Sequence, residues 1–350
     1  MNKHACFLLL SIAASLACAG SDAACLDTDK DCITAAHRNH VVIQLGYWKP
    51  ALNKPLLQRI GPAPAELVDY LKLDNILNGY PERPIAATPS ADFRRDMEDA
   101  ISEMPDNVKR AINSRLAGIY LVHNLGGSGF TEAIANTSGK PVAAYVVLDL
   151  DVLAQRNANA WATWKESSPF RASGDTHLIA TIESPDNDNR KNAIQYILLH
   201  EFGHVLSVGQ HFHPPWAQDP AELNVAEYPF FGLSWRFDKT QKRFVTDFED
   251  GFPLRKQVIY YFGARLDADR MADVYTQLET TNFPTLYGAT NPYDDFAESV
   301  ANYVHTVLMH KPFEIRIENQ GEVVKRYGSC WGGKRCEEKR KLLEQAIEGY

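Results

Sequence analysis

The sequence predicts an α+β fold: a lobe with a small twisted sheet and one dominant helix, then a mostly helical C-terminal lobe. Three observations carry this. Alternating, β-branched runs at Gly118 to Leu125, Ala143 to Leu150 and His177 to Ile182 read as strands. Directly after them Ile194, Ile197, Leu198, Phe202 and Val205 recur at helical spacing. Strands, a flanking helix and this helix make one layered lobe, and helical patterns dominate from Asp267 onward.

Composition narrows the class. At 350 residues with 45% hydrophobic and 11% aromatic content, the chain can fill one large domain or two lobes. A net charge of −8 gives no electrostatic footprint for nucleic acid. Lys3 precedes an apolar run, Ala5 to Ala19, that suits a signal peptide and is too short to span a bilayer. Ala17-Cys18-Ala19 and Ser21-Asp22-Ala23 are candidate cleavage sites, so residues 1–23 are expected to be a leader. Ser15 disfavours a lipid anchor at Cys18, and no later stretch is apolar enough to cross a membrane. The expected product is soluble and exported, to the periplasm or the medium.

Cysteine usage agrees. Past the leader, Cys25, Cys32, Cys330 and Cys336 remain, an even number in an oxidising compartment. Of the three pairings, Cys25–Cys32 and Cys330–Cys336 are favoured as short local loops. Neither pair has Cys-x-x-Cys spacing, which argues against a zinc site built from them.

In order along the chain, residues 24–90 read as an extension punctuated by Pro50, Pro55, Pro62, Pro64, Pro81, Pro84 and Pro89. A strand at Val41 to Leu45 and a helix at Ala65 to Leu77 are expected inside it. It reads either as a wrapping arm or as a removable pro-segment. Residues 91–213 form the sheet-bearing lobe, opened by amphipathic helices at Asp92 to Met104 and Asp106 to Leu116. Gly126-Gly127-Ser128-Gly129 reads as a tight turn, since no Lys-Ser/Thr follows to make a phosphate cradle. Residues 214–350 begin with the breakers Pro214, Pro215 and Trp216. A hairpin at Phe231 to Phe248 turns near Asp238 to Lys242, and Leu254 to Phe262 is a short strand or helix. Helices at Asp267 to Glu279 and Phe296 to Met309, a hairpin at Phe313 to Tyr327 and a charged helix at Glu337 to Glu348 complete the chain.

The dominant helix carries His200-Glu201-Phe202-Gly203-His204, an H-E-x-x-H motif. Positions i and i+4 share a helix face, so His200 and His204 can hold one metal ion between them. Zinc accepts imidazole nitrogen at about 2.0–2.1 Å in tetrahedral geometry. Glu201 is adjacent to the first ligand, able to reach a metal-bound water and suited to general-base chemistry. Asp186 to Asn189 supply a helix start and Gly209 a stop.

A third ligand must come from elsewhere. The metzincin offsets from His200 fall on Ser207 and Gln210, so Gly209 and His211 are out of register. His211 and His213 read as exposed loop residues. Glu298, in the first turn of the Phe296 to Met309 helix, is the stronger candidate. Glu298, Asn302 and His305 share a polar face there, and buried polar groups need partners that a facing metal helix supplies.

HEFGH followed far downstream by DDFAES resembles the gluzincin zinc metallopeptidases, and the wording around both segments is similar to the anthrax lethal factor-like proteases. The likeness covers the metal helix, the ligand helix and the lobe order, but not the N-terminal extension. It implies a zincin-like fold, one Zn2+ per chain held by His200, His204 and Glu298, Glu201 as base and a peptide or protein substrate. It also implies that His177 to Ile182 is the edge strand pairing with extended substrate. Two departures stand out. Thermolysin-like relatives carry an aspartate one turn after the glutamate ligand, where this chain has Asn302. The position of the transition-state tyrosine holds Asn291, bracketed by Tyr287 and Tyr293, of which Tyr287 is preferred for its place in a loop ahead of the helix. The expected function is therefore zinc-dependent hydrolysis of peptide bonds. The alternatives are an inactive zinc-binding secreted protein, which the intact Glu201 argues against, and a zinc amidase acting on cell wall.

Overall fold

Two of the strand patterns, Gly118 to Leu125 and Ala143 to Leu150, pair in one sheet, which three strands that the sequence pattern does not predict complete. The computed structural model describes residues 25–216 and 223–348. The leader expected at 1–23 lies outside them. In order come α1 (Lys30–Arg38), α2 (Leu45–Leu52), β1 (Ile60–Pro62), α3 (Ala65–Asn78), β2 (Ile85–Ala86), α4 (Ala91–Ser102) and α5 (Asp106–Asn113). Next are β3 (Leu116–His123), β4 (Gly129–Ala135), β5 (Pro141–Asp149), α6 (Leu150–Ala154), α7 (Ala158–Ser167), β6 (Phe170–Arg171), β7 (Thr176–Thr181) and α8 (Arg190–Ser207).

The main sheet runs β1-β3-β5-β4, with β2 also on β3. β1, β3 and β5 are parallel, whereas β4 returns antiparallel to β5 as the last strand. β5 is buried from Ala143 to Asp149, the continuous apolar reading of a strand covered on both faces. Its residues still alternate. Ala144, Val146 and Leu148 join the core under α4, α5 and α8, and Ala143, Tyr145 and Val147 join the core under α2 and α3.

The N-terminal extension is thus built into the fold. β1 and β2 both pair with β3, and Trp48, Leu67, Tyr70 and Leu71 cover one face of the sheet. The strand expected at Val41 to Leu45 is instead a 3-10 turn, Val41–Ile43, leading into α2. The Trp48 indole donates to the Val42 carbonyl at 2.6 Å, so this run is buried by a side chain rather than paired in a ladder.

The C-terminal half holds β8 (Trp235–Asp238), β9 (Arg243–Thr246), β10 (Leu266–Asp267), α9 (Met271–Leu278), α10 (Pro292–Tyr303), β11 (Glu314–Asn319), β12 (Glu322–Gly328) and α11 (Glu337–Glu348). It is tied to the first half by strand pairing. β10 pairs with β6, and the β11–β12 hairpin adds to β7. β7 therefore belongs to a separate three-stranded sheet and not to the main one. Disulfides join Cys25 to Cys32 and Cys330 to Cys336. Among the described residues no helix is long and apolar enough to cross a membrane. The architecture is α+β, with small sheets and helices on both faces of the larger one.

Candidate metal centre

The motif helix α8 is fixed before its side chains matter. The Asn189 side chain caps its start by accepting from the Asn192 amide at 3.0 Å. Every residue from Asn192 to Ser207 except His204 is buried. α10 crosses it at the one motif position with no side chain. A Cβ on Gly203 would stand 2.6 Å from the Ala297 Cα, so glycine lets the two helices touch. α10 itself starts at Asn291, whose Oδ1 accepts from the Tyr293 and Asp294 amides, with Pro292 in the first turn. Asp295, facing away from α8, binds Trp235 and Lys339 and anchors that turn.

This contact brings three ligand atoms together. The Nε2 atoms of His200 and His204 are 3.2 Å apart, and Asp294 Oδ1 lies 3.6 Å and 3.5 Å from them. Ligands bonded at about 2.0–2.1 Å in a tetrahedron would stand roughly 3.3 Å apart, so the three atoms outline one tetrahedral face. His200, His204 and Asp294 could hold a metal ion. The second Asp294 oxygen accepts from the Asn291 side-chain Nδ2 at 2.5 Å, which fixes the carboxylate's rotation. Burial would push the Asp294 carboxyl up, but the His204 and His200 rings and Asn291 hold it below its ordinary value, as an anion.

Glu298 sits one turn further along α10, behind the imidazole rather than in front of it. Its Oε1 is 2.9 Å from His200 Nδ1, an ion-pair contact not aligned as a hydrogen bond, and 2.6 Å from Lys165 Nζ. Its Oε2 accepts from Thr285 Oγ1 at 2.6 Å. Against the cost of burial, Lys165 and His200 hold this carboxyl well below the usual range. The sequence expectation put Glu298 on the metal. In the structure Asp294 faces the Nε2 pair instead: α10 crosses α8 at Ala297, with Asp294 in front of the imidazoles and Glu298, one helical turn of about 5.4 Å further on, behind His200. The carboxylate one turn after Asp294 is Glu298 itself. Asn302 lies elsewhere, accepting from the Trp331 indole at 2.9 Å.

Glu201 points into the same cleft on the β4 side. Thr131 Oγ1 donates to its Oε2 at 2.6 Å, and a Cβ on Gly129 would fall 2.3 Å from its Oε1. The last glycine of the Gly126 to Gly129 segment thus makes room for the carboxylate. Tyr287 lines the cleft with its ring 5.6 Å from that of His200. Burial, then Asp294, pushes its hydroxyl well above the ordinary value, so it stays protonated. The cleft, about 540 Å³, is bounded by α3 (Asp74, Asn78), Tyr80, the start of β4, Trp216 and Tyr293.

Two further expectations change. β7 has no free edge at the cleft: β11 covers one side, and on the other the Thr163 and Asn159 side chains bond the Ala180 and Ile182 amides. The sheet edge at the cleft is β4, whose outer side carries, among the described residues, only the isolated backbone bridge of Ala135 to Gln44. His213 is buried, not a loop surface residue. It packs on Tyr293 and Phe296 with Nδ1 2.8 Å from the Pro214 carbonyl, and burial pushes it down to about 4.

Sequence reasoning missed Asp294, Lys165 and β4. Asp294 stood in plain view four residues before Glu298. Lys165 carries no motif. No protein-family model, no curated protein and no solved structure matches the chain.

Proposed function

We propose that the chain is an exported zinc metalloendopeptidase of zincin-like architecture, with His200, His204 and Asp294 as ligands. The observation that carries this is the 3.2, 3.5 and 3.6 Å triangle of two imidazole nitrogens and one carboxylate oxygen, opening on a cleft that Glu201 also faces. Two imidazoles and one carboxylate, with a fourth position left to the cleft, are the donor set of catalytic zinc sites. When bound, such an ion supplies Lewis-acid polarisation and activation of a water molecule.

The chain's own residues do the rest. Glu201, held by Thr131 and seated over Gly129, takes a proton from the attacking water and passes it to the leaving nitrogen. Tyr287, kept as a neutral phenol, donates to the carbonyl oxygen as charge develops there. Glu298 orients the His200 ring from behind. The β4 edge offers main-chain groups to an extended peptide, which favours cleavage within a chain. The two disulfides support an oxidising, exported setting.

The test is Glu201→Gln on a random peptide library and on purified cell wall, each with and without chelator. The expected variant keeps stoichiometric zinc and loses about 10²–10⁴-fold in peptide cleavage. Cleavage at the parental rate would overturn the role of Glu201. Release of cell-wall fragments without peptide cleavage would replace the endopeptidase by an amidase.

A further inference from the structure

Behind His200 the site continues through Glu298 into a buried charged chain whose lysine the chemistry above leaves unused. Lys165, on α7, has a side chain only 6% exposed. A lone ammonium at such a place is costly unless it is paired and hydrogen-bonded. Its surroundings supply both. Nζ is 2.6 Å from Glu298 Oε1 and 4.0 Å from Glu166 Oε1, with the Tyr287 ring centre 4.7 Å away. Glu166 in turn accepts from the Tyr275 and Tyr260 hydroxyls at 2.9 and 3.3 Å. The chain runs from the C-terminal half through α7 and ends on the metal helix.

Glu298 is the joint in that chain. It is fully buried, and one of its oxygens is shared between Lys165 and Nδ1 of His200 while the other is held by Thr285. A carboxylate gripped by Lys165 on one oxygen and Thr285 on the other is kept from swinging away from the ring. The ring's orientation decides where Nε2 points, and a supporting partner of this kind typically governs metal affinity.

We propose that Lys165 is a positioning residue for the metal centre, clamping Glu298 against His200 so that the imidazole presents Nε2 to the ion. The inference rests on the zinc-site reading above. A lysine that only packs would stabilise α7 without acting through Glu298, and the two roles separate in a double-mutant cycle.

The experiment measures the zinc dissociation constant of the full chain by competition with a chromophoric chelator, for the parent, Lys165→Met, Glu298→Gln and the double variant. Circular dichroism of the metal-free proteins reports folding. Lys165→Met is expected to weaken zinc by about ten- to a hundredfold, and to add no more than about twofold in the Glu298→Gln background. Should Lys165→Met not fold, Lys165→Gln, which keeps a donor of shorter reach without the charge, is measured in the same way. Zinc affinity within about twofold of the parent overturns the proposal, as does an equal loss in both backgrounds. A parent that binds no zinc overturns the site reading and this role with it.

Discussion

Gly203 lies so close to Ala297 that a methyl group on it would stand 2.6 Å from the Ala297 Cα and 3.0 Å from its carbonyl oxygen. The obstacle is backbone, which no side-chain rotation relieves. Gly203→Ala gains helix propensity of about 1 kcal/mol. Overpacking costs about 1–3 kcal/mol, and here it is met by two rigid helices, so the loss should win. Separating α8 from α10 also lengthens the distances from Asp294 to both imidazoles. The expected outcome is a lower melting temperature together with weaker zinc binding, read by thermal denaturation and chelator competition. A variant with parental zinc affinity would show that the helix contact does not set the site.

Asp294 and Glu298 are one helical turn apart, and the proposed site gives them different roles. Asp294→Asn removes an anionic ligand, so zinc affinity should fall by more than about a hundredfold, beyond the usual range for supporting residues. Glu298→Gln keeps an oxygen near His200 Nδ1 and should cost roughly ten- to a hundredfold. Metal titration of both variants checks the order. If Glu298→Gln lost zinc outright and Asp294→Asn did not, Glu298 would return to the ligand set.

On the proposed reading Gly129 bears on Glu201 rather than on the metal ligands. An alanine there drives a methyl into Glu201 Oε1, and the flexible carboxylate must leave Thr131. Zinc content should stay stoichiometric while kcat drops by about 10²-fold, the lower end of what general-base catalysis supplies. Thr131→Val should act in the same direction, more weakly, since the room over Gly129 remains. Equal kcat for parent and Gly129→Ala, with equal metal, would separate Glu201 from the turnover step.

The elements that pack on a face were legible, because burial imposes a period on the sequence. α3, α4, β3, β5, α8 and both C-terminal hairpins fall close to their expected places, and the short-loop disulfide pairing matches as well. β4 was not legible. Its Gly129-Phe130-Thr131-Glu132 start carries polar groups on the cleft side, where the edge strand serves the site and not the core. The motif pair His200 and His204 was readable from spacing alone. Which carboxylate of α10 meets them was not, since both lie on the same face and only the crossing point at Gly203 selects one. Lys165 was invisible, because its partner is 133 residues away in the chain. How the extension joins the fold was hidden as well, because its prolines mask two short strands that depend wholly on β3 for pairing.

His305 gives a stability test apart from the metal. It is buried, its Nε2 lies 2.8 Å from the Ile182 carbonyl that it bonds, and its Nδ1 has no partner among the described residues. Burial, with Lys311 adding to it, pushes the imidazole down from 6.5 to about 4. Between those values the unfolded chain binds a proton that the folded chain refuses. Stability from this group is therefore intact above about pH 6.5 and is lost as pH falls towards about 4. Each tenfold weakening of proton binding on folding is worth about 1.4 kcal/mol, so the full loss is about 3 kcal/mol. His305→Gln keeps a donor for the Ile182 carbonyl but cannot titrate. It should be less stable than the parent at neutral pH, since the edge-on contact with Tyr196 at 4.8 Å is lost. It should also lose less on acidification. Urea denaturation of both metal-free proteins across the same pH window measures the difference, and parallel stability curves would show that His305 does not carry the acid sensitivity.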